Sequence, residues 1–210
     1  LPGVVASGTD TMNGCTTDDQ TPFLDDEDGA TILPVTSSPT SVPYGVITSG
    51  NFYQGCQRLS TQTNAGSGYT VRSRENNPLR TTGGVQIPDT ACDSGTCTAT
   101  SAAAWTTANG FGISCVNSST SVSCSCLTQP DWGSGNCDAG AAVGNRWAPI
   151  PAEGFTDIAT TTSVPSMFTT LSSATGANVL AKVKYRLRVG GGQAAGDYSN
   201  DVSWIATPTF

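Results

Sequence analysis

The sequence has no histidine, only nine Lys plus Arg, and charged residues at 12% of its length. Without an imidazole there is no Ser-His-Asp or Cys-His catalytic arrangement, and no mixed Cys/His zinc site can be completed. The 16 Asp plus Glu set the net charge at -7, so the basic footprint of a nucleic-acid binder is missing. No polybasic amphipathic segment is present for a membrane surface, and no apolar run approaches the length of a membrane helix. Apolar residues rarely recur with the 3.6-residue helical period. Gly, Pro, Ser and Thr interrupt the few windows where they do.

What the sequence does have is enough apolar material, 37% of 210 residues, to build the core of one large β domain. A surface poor in charge must be covered by Ser, Thr, Asn, Gln and Gly, a composition that suits an extracellular or cell-surface protein. Eight cysteines, Cys15, Cys56, Cys92, Cys97, Cys115, Cys124, Cys126 and Cys137, read as the disulfide framework of an oxidising compartment. Their spacing does not match the paired C-x2-C of a zinc site, so no metal or other cofactor is expected. Cys92 and Cys97 enclose a turn-like Asp-Ser-Gly-Thr and suit a local bridge. Cys124 and Cys126 would share one strand face and so take different partners. A Cys15–Cys56 bond would staple the N-terminal segment to the first hairpin, although the connectivity stays open.

Residues 1–29 form an acidic, polar N-terminal extension. Its "DDEDG" run, Asp25 to Gly29, is expected to be a solvated loop. Calcium is the alternative, but the EF-hand pattern fails because Leu24 stands where the first Asp is required. The opening "LPGVVASGTD" lacks the basic region and long apolar core of a signal peptide, and is expected to be a mature end left by cleavage. Residues 30–210 are expected to form a single β domain with a Cys-rich insertion at about 90–150.

Within that domain, short β-prone runs alternate with turn residues. Pro34 and Pro43 place their runs at sheet edges or strand starts. Leu59, Thr61 and Thr63 alternate into "NAGSG" and Tyr69, Val71 and Ser73 alternate out of it, which predicts a hairpin. Short helical turns are expected at 102–105 and within 162–171, with a strand through Phe111 and Ile113. Trp105, Trp132 and Trp147 are read as core plugs or loop anchors. Towards the end, Val179, Ala181, Val183, Tyr185, Leu187 and Val189 share one face, and Lys182, Lys184, Arg186 and Arg188 share the other. The pattern predicts an outward basic row on a closing hairpin whose return strand carries Tyr198, Val202 and Trp204.

These segments, "YRLRV", "QAAGDYSNDVSWIATPTF", "TNAGSGYTVRSRENN" and "DTACDSGTCTATSAAAWTTANGFGISC", resemble a class of secreted bacterial β-sandwich surface and pilin-like proteins over roughly residues 40–210. The closing hairpin is loosely similar to the end of WxL-type cell-surface domains. The WxL tripeptide itself is absent, so peptidoglycan attachment does not carry over. The resemblance implies an all-β, antiparallel β-sandwich, Ig-like or pilin-like, with a disulfide-rich loop insertion, and it transfers no catalytic residue.

Three function classes follow. A carboxylate-pair hydrolase would have to use Glu75, Glu153 or Asp157, which are scattered, so no enzyme is expected. A monomeric adhesin or carbohydrate-binding module would use tryptophans and polar loops to contact glycans. The preferred expectation is a structural subunit of an extracellular filament, its partners identical copies, polymerising by β-strand addition. Leu1, Val4 and Val5 are the candidate donor residues, with Gly3 and Gly8 allowing close approach. Ile32, Val46 or the closing hairpin would line the acceptor groove. The row Lys182, Lys184, Arg186 and Arg188 would be the assembly edge, facing a neighbour's acidic segment. Because Lys182 and Lys184 are expected to face outward, an internal isopeptide bond is disfavoured.

Overall fold

The computed structural model describes residues 4–7, 32–61, 69–98, 102–117, 146–150, 166–170 and 179–208, and among them there is no helix. The strands are β1 (Val4–Ser7), β2 (Ile32–Pro34), β3 (Phe52–Thr61), β4 (Tyr69–Glu75), β5 (Ala103–Ala104), β6 (Gly110–Asn117), β7 (Arg146–Trp147), β8 (Ser166–Thr170), β9 (Val179–Arg188) and β10 (Val202–Pro208). The all-strand expectation holds. The two expected helical turns do not form where described: Ala103–Ala104 is extended and pairs with Arg146–Trp147, and Ser166–Thr170 pairs with β4.

The large sheet runs β1-β3-β9-β6, with β2 also on β3. β9 lies at its centre, antiparallel to β3 from Val179↔Thr61 to Arg188↔Phe52 and antiparallel to β6 from Ala181↔Asn117 to Arg188↔Gly110. The outer edge of β3 is shared by two short strands. β2 runs parallel to Phe52–Gln54, and β1 runs antiparallel to Arg58–Thr61. Between them Ser37 Oγ donates to the Cys56 carbonyl, and Gln57 Nε2 donates to the Ser38 carbonyl at 2.8 Å. Pro34 ends β2 on this edge, where its missing N–H is not needed for a ladder. The parallel β2–β3 pair makes the sheet mixed rather than purely antiparallel.

A second sheet runs β10-β4-β8. Both expected hairpins are therefore corrected. β3 and β4 belong to different sheets instead of pairing across "NAGSG", and β10 pairs with β4, from Val202↔Glu75 to Pro208↔Tyr69, instead of with β9. Alternation fixes which residues share a face but not which strand becomes the neighbour. β9 is buried on both faces and takes a long partner on each side, which leaves no edge for β10.

Both faces of the large sheet are covered. On one face Val183, Tyr185, Leu187, Val189, Phe111 and Ile113 pack with Leu79, Ile87, Ala102, Ala148 and Ile150, and Val202 and Trp204 of β10 lie against this cluster. On the other face a cap formed by Trp105, Trp147 and the Cys92–Cys97 loop packs on Phe52 of β3 as a second cluster. Gly110, at φ 140°, brings Thr90 against β6: a Cβ there would lie 2.7 Å from Thr90 Cα, so only glycine fits. The expected local bridge between Cys92 and Cys97 is formed, with Cα atoms 5.6 Å apart. Cys56 is also disulfide-bonded.

Candidate functional site: a covered cation row and an open groove

The basic row is where structure and expectation diverge most. Lys184 and Arg186 are each 2% exposed, Arg188 is half-buried, and their strand is central, so they do not form an outward assembly edge. The β5–β7 layer covers them. The Arg186 guanidinium lies 4.0 Å from the Trp147 ring centre and 4.9 Å from that of Phe52. Its Nε donates to Gln54 Oε1 and its terminal nitrogen to the Trp105 carbonyl, both at 3.0 Å. The Lys184 ammonium lies 5.3 Å from Trp147, and Arg188 lies 5.3 Å from Phe52. Trp105 packs edge-on against both Phe52 and Trp147. Desolvated cation–π contacts of this kind are worth about 2 kcal/mol or more, so the row is structural. Trp105 and Trp147 act as core plugs, as expected from their size. Lys182 lies on β9, its side chain outside the described residues. Leu1, Trp132, Glu153, Asp157, Cys15, Cys124, Cys126, Cys137 and the "DDEDG" run also lie outside them.

The cap is fastened by one carboxylate that sequence reading missed. Asp93, inside the disulfide loop, accepts from the backbone N–H and hydroxyl of Thr106 at 2.6 and 2.7 Å, from those of Thr107 at 2.8 and 3.0 Å, and from the Ala108 N–H at 2.9 Å. Partial burial pushes its carboxyl up, but these five donors outweigh that and hold it well below the usual carboxylate range. The signal was present as Cys-Asp-Ser-Gly followed by Thr-Thr. The pairing of two loops 13 residues apart was not legible.

A second carboxylate cluster joins the sheets. Glu75, at the end of β4 and fully buried, faces Asp89, whose neighbourhood is tied to β6 through the Thr90 N–H to Phe111 carbonyl bond at 2.7 Å. Asn200 Nδ2 donates to Glu75 Oε2 at 2.6 Å. Burial pushes the Glu75 carboxyl up to about 9, with the Asp89 charge and hydrogen bond adding to it and Asn200 opposing. Burial raises Asp89 as well. Two acceptors in contact require a shared proton, so Glu75 carries one at neutral pH. Of the three carboxylates considered for hydrolysis, Glu75 is thus shut away from solvent. Among the described residues no group of three or more Cys, Asp or Glu side chains is gathered for a metal.

Among the described residues a groove of about 600 Å³ opens where β10 meets the large sheet. Its floor is Leu79, Phe111, Tyr185 and Leu187; its walls are the loop 39–47 and the segment 196–204. The loop reaches in because Gly55 of β3 leaves room for Val42. At the base Trp204 hydrogen-bonds the Tyr185 hydroxyl, which donates to Gln57 Oε1 at 2.8 Å. Tyr198 donates to the Ala194 carbonyl at 2.6 Å, which fixes the far wall. Asp197 and Asp201 line the groove and no Lys or Arg does. Of the expected acceptor residues, neither Ile32 nor Val46 lines it; Val46 stands 94% exposed on the outer side of the loop.

No protein-family model, curated protein or solved structure matches the chain. Among the described residues no helix is long and apolar enough to cross a membrane.

Proposed function

We propose that the chain is a structural subunit of an extracellular filament or surface assembly, a pilin-like sandwich that polymerises by β-strand addition between copies, with no catalytic role. The observation that supports this reading is β1. The candidate donor residues Val4 and Val5 lie in a four-residue strand laid on the outside of β3, opposite Thr61 and Ser60, within the same chain. A short, uncharged strand added to a sheet edge is the element that strand exchange requires, because another copy's β1 would make the same ladder contacts on that edge. The disulfide and the low content of charged residues fit an oxidising, extracellular setting.

Electron microscopy and size-exclusion chromatography of the unreduced protein test the reading. Ordered fibres are expected from the full chain, and monomers from a chain lacking residues 1–12. A full chain that stays monomeric up to millimolar concentration overturns the proposal. One observation favours a second reading, a glycan-binding module: Tyr44, Tyr198, Trp204, Asn200 and Asp201 share the groove, and aromatic faces beside amide and carboxylate groups suit sugars. Saturable quenching of tryptophan fluorescence by an oligosaccharide would support it.

A further inference from the structure

β1 in its observed place does not by itself drive polymerisation. On β3 it makes the same contacts within a chain as between chains, and the tether gives the internal arrangement an effective concentration in the millimolar range. Exchange needs a site that is left unfilled in the monomer. The basic row on β9 cannot be that site, since β9 has a strand on each side and a layer over its cations.

The three-stranded sheet ends on β10, whose outer side has no strand partner among the described residues. This seven-residue strand, Val-Ser-Trp-Ile-Ala-Thr-Pro, contains no charged residue. Natural edge strands are normally blunted by lysines, inward charges, bulges or a covering loop, because an open row of N–H and C=O groups is a template for pairing. β10 has only a terminal proline. Ser203, Ile205 and Thr207 on its outer face are exposed, while Val202 and Trp204 on its inner face border the 600 Å³ groove and its apolar floor. An edge with no strand partner among the described residues, beside an open groove, is what remains when a sheet is one strand short.

We infer that the β10 edge and its groove are the acceptor for the N-terminal segment of a second copy of this chain, which adds as a fourth strand to the β10-β4-β8 sheet and fills the groove between the 39–47 loop and the 196–204 segment. Two observations choose this occupant. The groove presents Asp197 and Asp201 and no cation. It therefore repels the chain's own acidic stretch of Asp25, Asp26, Glu27 and Asp28 and admits an uncharged strand such as residues 1–9. Moreover, β1 already lies beside β10 as well as on β3, so the donor leaves its own chain next to an acceptor edge. The inference rests on the strand-addition reading and names its acceptor.

Hydrogen exchange on the full chain, dilute and polymerised, is the test. Amides of residues 202–207 should become at least 100-fold more protected in the polymer. Ile205→Lys, which adds an edge lysine without touching the groove, should raise the concentration needed for polymers at least tenfold, and Val85→Lys, an exposed apolar site on another loop, should not. Polymers that protect residues 58–61 and leave 202–207 unchanged would overturn the acceptor while leaving strand addition standing. If the full chain forms no polymer, a synthetic peptide of residues 1–12 added to it decides: protection of 202–207 supports the acceptor although the filament reading falls, and no protection overturns both.

Discussion

Single residues show how burial reverses ordinary ionisation. Glu75 is held with a proton because a second negative charge beside Asp89 in that site is worse than a neutral acid. Its folded pKa lies above its unfolded one, so between about pH 4.5 and 9 the folded state binds more protons than the unfolded chain. The site's contribution to stability is then fully present below the unfolded value and is lost as pH rises through the folded one. Glu75→Gln keeps a donor for Asp89 and an acceptor for Asn200 without needing that proton. It should flatten the fall of stability with pH and raise stability at pH 8 by roughly 1–3 kcal/mol, read from urea unfolding at pH 5 and 8. A variant whose profile parallels the parent's would show that the pair does not share a proton. Glu75 itself was legible as a lone acid. Its partner, 14 positions away on a loop, was not, because nothing periodic links them.

At the level of the element, β9 carries the main lesson. Its two-residue alternation was plain, and the apolar half faces the core as the pattern requires. The basic half reads as solvent-facing on the general rule that Lys and Arg stay outside unless paired. Here aromatic rings and a main-chain carbonyl took the place of water around Arg186, supplied by residues 39 to 134 positions earlier in the chain. Arg186→Ala should therefore cost about 3 kcal/mol or more, from the lost stacking and the void between Phe52 and Trp147, and should alter the near-ultraviolet circular dichroism of the tryptophans. An unchanged midpoint and spectrum would mean that the guanidinium is not packed there.

Across the whole molecule, stability should follow layering. The large sheet is covered on both faces, and its central strand pairs along ten residues with β3, whereas β10 has one strand partner among the described residues and a groove beside it. In the monomer, exchange should be slowest for the amides of β9 between Val183 and Leu187 and much faster for β10, by two orders of magnitude or more; equal rates in the two strands would contradict the layered arrangement. Composition and alternation alone determined the strand-only makeup of the described residues, the Cys92–Cys97 bridge, Trp105 and Trp147 as plugs and the division of β9 into two chemical faces, because each follows from the period of the backbone or from nearest neighbours in sequence. Only the tertiary structure decided that β9 is central, that β3 and β4 part into different sheets, that a cap covers the cations, that Glu75 meets Asp89 and that β10 is an edge among the described strands. Those outcomes depend on which distant segments compete for the same hydrogen bonds and the same apolar surface, and a one-dimensional pattern does not encode that competition.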